Sequence, residues 1–103
     1  MEGTSAFLQT FGDSPINRVL DFFIVYEDFD YPMIEIAQKA AVGYSTLKLF
    51  WTELEKRKII VKTRNIGKAK LYKLNTKNPV VEQFKKLYWT TVEKNLQKQT
   101  ITI

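Results

Sequence analysis

Between positions 56 and 77 the chain carries Lys56, Arg57, Lys58, Lys62, Arg64, Lys68, Lys70, Lys73 and Lys77 without a single carboxylate among them. Cations at this density do one kind of chemistry well: they take the place of the counterions condensed on a phosphate polymer, and binding gains from the release of those ions. The rest of the charge map sharpens the expectation. The first 38 residues hold seven acidic side chains against Arg18 alone, whereas the remainder holds fifteen basic and four acidic ones. A net charge of +5 therefore conceals a dipole, with one face suited to a polyanion and another held away from it. A solvated lysine-rich surface is the alternative use of such a run.

Other chemistries lack their agents. There is no histidine and no cysteine, hence no imidazole base, thiolate nucleophile, thiolate zinc site or disulfide. No glycine-rich phosphate loop and no Asp/Glu cluster at metal-ligand spacing occurs, and Gly67-Lys68 alone is no nucleotide-binding loop. The expectation is a binding protein and not an enzyme, with no catalytic residue, metal or cofactor. A zinc-sensing or thiol-sensing regulator is excluded on the same ground. The absence of cysteine fits a reducing compartment, no apolar run approaches the roughly 20 residues that span a bilayer, and the first residues lack signal-peptide order. A cytoplasmic, DNA-associated location follows, with no membrane partner. A length of 103 residues suits one domain.

These cations have to be positioned by short elements. Residues 1–13 read as an arm whose Phe7, Leu8 and Phe11 are too apolar for water, and which docks on the chain's own last helix or on a partner subunit. Ser14-Pro15 starts a helix over 15–26, since serine caps free N–H groups and proline suits the first helical position. Its inward stripe is Ile16, Val19, Leu20, Phe23 and Ile24, with Phe22 off that stripe and turned to a neighbour. Acidic residues 27–30 lead to a second helix over 32–40, with Ile36, Ala37 and Ala40 inward, then a turn over 41–43. A third helix over 44–57 buries Leu47, Phe50, Trp51 and Leu54. Residues 59–64 and 68–74 read as two strands joined through Gly67, which permits a positive φ. Strand alternation places Lys62 and Arg64 on one side of the first strand and Lys68 and Lys70 together on the second. Asn78-Pro79 opens a last helix reaching about 97, beyond which the chain frays.

The run Ile36-Ala37-Gln38-Lys39-Ala40-Ala41-Val42-Gly43-Tyr44-Ser45-Thr46-Leu47, followed by Leu54-Glu55-Lys56-Arg57-Lys58-Ile59-Ile60 and the basic hairpin ending in Leu71-Tyr72-Lys73-Leu74-Asn75, resembles the winged helix-turn-helix family of bacterial and archaeal DNA-binding regulators. The 68–75 wing and the Asn78-Pro79 helix start resemble small archaeal regulators in particular. The pattern departs from the family at Ala41, where glycine is frequent, and at Gly43, where serine is. The resemblance implies an α+β, mainly α fold: a three-helix core and a two-stranded β-hairpin wing over 14–76, with an additional C-terminal helix in 77–103. It also implies that Val42 points into the core and that the third helix enters the major groove.

On that footing Tyr44, Ser45, Lys48 and Thr52 are the candidate base readers. Leu49 shares their face and suits either a thymine methyl or a protein surface. Lys62, Arg64, Lys68 and Lys70 are the wing's DNA-binding cations, for phosphate or an A·T-narrowed minor groove, with Arg64 and Lys68 foremost; protection of an exposed sheet edge is their other use. The last helix has an apolar stripe of Val80, Val81, Phe84, Leu87, Tyr88, Val92 and Leu96, widened by Trp89. Its surplus points to a homodimer through Phe84, Leu87, Tyr88 and Val92, unless this helix and the arm complete one monomer's core. The expected function is a dimeric transcriptional regulator on double-stranded DNA. Plasmid partition or DNA architecture, and a winged-helix module for a protein partner, are the two alternatives.

Overall fold

A computed structural model describes residues 4–101 of the chain, with side chains for residues 4–97. In chain order its elements are α1 (Ala6–Phe11), α2 (Pro15–Val25), β1 (Tyr31–Pro32), α3 (Met33–Lys39), α4 (Tyr44–Lys56), β2 (Ile60–Ile66), β3 (Ala69–Leu74) and α5 (Pro79–Ile101). The arm is thus a short helix. Ser5 Oγ accepts the Leu8 N–H at 3.1 Å and starts it, and Phe7 turns into the chain's own core with its ring 5.3 Å from Phe84 and 5.4 Å from Tyr88. Docking on the last helix is the arrangement adopted.

α2 begins as its sequence directs, with Ser14 Oγ accepting from the Asn17 N–H and Pro15 in the first turn. Its burial is wider than one stripe, however. Val19, Phe23 and Ile24 are buried as expected and Leu20 is half-buried, whereas Ile16 is exposed and Phe22 is buried. The neighbour that Phe22 meets belongs to its own chain: it packs on Phe23, Tyr26 and Tyr31, because β1 supplies a second wall that helical period alone does not reveal.

The helix-turn-helix is closed by two matching devices. At the end of α3 the Val42 N–H donates to the Ala37 carbonyl and the Ala41 N–H to that of Gln38, while Ala41 stands at φ 57°. At the end of α4 the Ile59 N–H donates to the Leu54 carbonyl and the Lys58 N–H to that of Glu55, with Lys58 at φ 61°. Both are the paired hydrogen bonds of a Schellman motif, whose left-handed residue is usually glycine. The apolar residues that follow, Val42 and Ile59, pack against the core. Arg18 Nη1 also donates to the Ala41 carbonyl at 2.8 Å, so α2 holds the turn from outside.

The sheet is antiparallel, ordered β1-β3-β2, which adds a strand to the expected hairpin. β1 pairs Tyr31 with Tyr72 and Pro32 with Leu71, and at two residues it is too short to leave a period. β2 and β3 pair from Ile60–Leu74 to Ile66–Ala69, so only Gly67 and Lys68 form the tip, with Gly67 at φ 61° in the position a two-residue type II′ turn reserves for glycine. Between Lys62, opposite Tyr72, and Arg64, opposite Leu71, the register shifts and Thr63 is the extra residue of a β-bulge.

α5 opens with Asn78 Oδ1 accepting the Val80 N–H at 2.9 Å, while Asn78 Nδ2 donates to the carbonyls of Arg57 and Lys58. Asn75 Nδ2 donates to Lys58 as well, at 2.9 Å. The helix continues to Ile101, past the expected fraying point at 97, because 97–101 contains no glycine or proline to stop it; residues 102 and 103 lie outside the described residues. Val19, Phe23, Ile24, Ile36, Leu47, Ile60, Leu74 and Val81 are wholly enclosed, drawing α2, α3, α4, the wing's base and α5 onto one core.

Candidate nucleic-acid interface

α4 buries Leu47, Trp51 and Leu54 and half-buries Phe50, which fixes its rotation and turns Tyr44, Ser45, Lys48 and Thr52 outward. At 100° per residue these four fall within about a quarter of the helix circumference. Gly43 is the N-cap without a side-chain bond, so the first N–H groups of α4 open onto the surface that carries Tyr44 and Ser45. One contact here has no signature in composition: Lys48 Nζ stands 5.5 Å from the Tyr44 ring centroid, a cation–π arrangement that draws the lysine toward the helix start. Leu49, also on this side, is 83% exposed.

All four expected wing cations are exposed, but their grouping differs from simple alternation. The bulge at Thr63 moves Arg64 out of phase, so Lys62, opposite Tyr72, and Arg64, opposite Leu71, lie on opposite faces. Lys70 pairs with Asn65 and shares the face of Lys62, while Lys68 sits in the turn. Arg64 is held by Asp30, with Nε–Oδ2 at 2.9 Å and Nη2–Oδ1 at 3.1 Å, and Thr63 Oγ1 donates to the same carboxylate. These bonds hold the Asp30 carboxyl down to about 2, the Arg64 fork being the larger cause. In sequence Asp30 is only one member of an acidic linker, and an ion pair across 34 positions leaves no local trace.

Several other acidic residues show the same behaviour, whereas among the described residues Asp28, Glu55 and Glu93 take part in no ion pair and Asp21 accepts from a hydroxyl. Asp13 pairs with Arg18, Glu35 with Lys39, and Glu27 with Lys85 of α5. The acidic first third therefore neutralises cations of its own and of distant elements. Among the described residues Lys48, Lys56, Lys58, Lys62, Lys68, Lys70, Lys73, Lys77 and Lys94 take part in no ion pair. All of these but Lys94, which lies in the second half of α5, are carried by α4, the wing and the approach to α5. Among the described residues no group of acidic side chains is arranged to hold a metal ion, and no helix is long and apolar enough to cross a membrane.

The residues expected to dimerise divide. Phe84 and Tyr88 are spent on Phe7 of the same chain, and the Tyr88 hydroxyl donates to Asp21 Oδ1 at 2.7 Å. Val92 packs on the core, leaving Leu87 exposed. α1 is the physical reason, since it covers the middle of the apolar stripe. Val80 and Trp89 on the flanks are also exposed.

No family model matches the sequence, and no curated protein matches it. Solved structures do. ZitR from Lactococcus lactis, solved in complex with DNA, superposes with a TM-score of 0.58 at 12% identity, over 84% of this chain and 60% of that one. MepR, a transcription regulator of the Staphylococcus aureus multidrug efflux pump MepA, gives 0.61 at 19% identity, over 89% and 68%. Rv0081 of M. tuberculosis gives 0.58 at 16% identity, over 91% and 89%. The chain spans less than two thirds of the ZitR chain it matches in that DNA complex. The fold is therefore that of winged helix-turn-helix regulators: α3 and α4 form the helix-turn-helix, β2 and β3 the wing, with α1 and α5 as additions.

Proposed function

We propose that this protein is a transcriptional regulator that binds double-stranded DNA as a homodimer and acts from the cytoplasm, with no catalytic activity. α4 lies in the major groove, where Ser45, Lys48, Tyr44 and Thr52 meet base edges, and the wing lies on the backbone or minor groove through Lys62, Arg64, Lys68 and Lys70. The observation that carries this reading is the set of unpaired lysines Lys62, Lys68, Lys70 and Lys73 on the wing together with Lys48 on the exposed face of α4, while Asp13, Glu27, Asp30 and Glu35 are tied to cations. The ZitR complex with DNA and the regulatory role of MepR support it. α5 is the dimerisation element, through Leu87 and Val80, which share one flank of the helix, and a two-fold pair would set the recognition helices about 34 Å apart.

Anisotropy of a labelled duplex titrated with the protein at about 50 and 200 mM salt tests the reading, because 6 to 10 phosphate contacts imply a loss of roughly a thousandfold across that range. Preference for the DNA upstream of the protein's own gene indicates a self-regulating repressor, and equal binding to random DNA indicates partition or architecture. The exposure of Leu49 on the reading face favours one further reading, a surface for a protein partner. Absence of binding to either duplex at low salt would replace the DNA reading with that one.

A further inference from the structure

Arg64 differs from every other cation proposed for the wing because it has a carboxylate partner. The bulge makes this possible. In a regular strand consecutive side chains leave on opposite faces, yet Thr63 and Arg64 both reach Asp30, since the extra residue re-aims the strand at that point. Asp30 immediately precedes β1, and the pairing of β1 with β3 fixes its position beside the hairpin. The carboxylate is withdrawn behind the guanidinium: the Asp30 side chain is 17% exposed and that of Arg64 59%.

A guanidinium carries five N–H donors in a rigid plane. Asp30 occupies the edge formed by Nε and Nη2, which leaves both donors of Nη1 and the second of Nη2 for an outside acceptor. Such an edge matches phosphate oxygens or the A·T acceptors of a minor groove, and a side chain already fixed loses less freedom on binding. We infer that Asp30 is a positioning residue for DNA recognition, holding Arg64 with its outer edge toward the duplex so that Arg64 acts through geometry more than through net charge. This rests on the DNA-binding reading above and adds to it a residue from outside the helix-turn-helix and wing.

The sign of one substitution decides the matter. Taking a negative charge from beside a polyanion site strengthens binding when charge alone counts. Positioning requires the reverse: Asp30→Asn weakens DNA binding by about tenfold, without a shallower salt dependence. Arg64→Lys keeps the charge but not the fork, and should lose as much affinity as Arg64→Ala. The double variant Asp30→Asn with Arg64→Ala should bind no more weakly than Arg64→Ala alone, as expected of one coupled unit. Thr63→Val, which leaves every charge in place and removes one donor to Asp30, should lose about threefold and serves as the deciding variant should Asp30→Asn fail to fold by circular dichroism. Unchanged or tighter binding of the folded Asp30→Asn protein, or of Thr63→Val in its place, would overturn the positioning role while salt-sensitive wild-type binding stands. Wild-type protein that ignores DNA would overturn the DNA reading and this inference with it.

Discussion

Two non-glycine residues among those described occupy a backbone region that suits glycine better. Ala41 and Lys58 both carry the left-handed turn after a helix, at φ 57° and 61°. The Cβ of an L-residue costs about 1 to 2 kcal/mol there, partly offset by the smaller unfolded-state entropy of a non-glycine residue. Ala41→Gly and Lys58→Gly should each stabilise the protein by about 0.5 to 1 kcal/mol, read from urea midpoints at unchanged m-value. Tyr88 makes a second residue-level case. Burial pushes its phenol well above the ordinary value and the bond to Asp21 adds to this. A raised folded value means that stability is fully present below about pH 10 and lost as pH climbs beyond it. Tyr88→Phe should flatten that alkaline decline, leaving a remainder from Tyr72, which burial also raises. Asp30 acts in the opposite direction. Its lowered carboxyl contributes stability above about pH 4 that disappears as pH falls through about 2, a loss that Asp30→Asn should remove from the acid unfolding curve.

At the scale of elements, α1 is the clearest case of a segment whose role depends on something distant. Phe7 fills the space between Phe84 and Tyr88, so Phe7→Ala should cost about 3 kcal/mol and expose the middle of the α5 stripe, with a rise in dye binding to apolar surface as the readout. The helices are legible in sequence because each writes its own period: Val19, Phe23 and Ile24, or Leu47, Trp51 and Leu54, announce a buried side without reference to a partner. The turn at Ala41 and the tip at Gly67 are legible for a similar local reason. Phe22 is not, because its burial is created by Tyr31 across a two-residue strand. Nor is the facing of Arg64, since a bulge exists only in the register between two strands. Of the candidate site, the exposed faces of α4 and the wing follow from pattern, as does the Lys48–Tyr44 contact between neighbours four apart on one helix, whereas the Asp30–Arg64 pair is a product of tertiary proximity.

Over the whole molecule, the lopsided charge of the sequence becomes a different distribution in space. Glu27 reaches Lys85 across 58 positions and Asp30 reaches Arg64 across 34, so the acidic segment is a set of clasps as much as a repelling face. Outside these clasps stand the lysines of the wing and of α4, with Lys58, Lys77 and Lys94. Lys62→Ala with Lys68→Ala should therefore weaken binding to every duplex alike and lower the salt slope by about 0.9 for each phosphate left without its cation. Self-association should respond to other residues. Leu87→Glu with Val80→Glu, at positions 45% and 64% exposed, should shift the sedimentation mass from dimer to monomer while leaving the far-ultraviolet spectrum unchanged.

The asparagine bonds at the start of α5 carry a mechanical consequence. Asn75 and Asn78 together hold the carbonyls of Arg57 and Lys58, and the Asn75 N–H is bound to Ile59, so the C-terminal end of α4 is bolted to the root of α5. A 23-residue helix is about 34 Å long, which makes it a lever with its pivot at that joint. Val81, Tyr88 and Val92 seat α5 on the core as well, so the joint and the core together fix the angle between α5 and α4. Strain placed on α5 is therefore felt first at the C-terminal end of α4, the end opposite Tyr44 and Ser45.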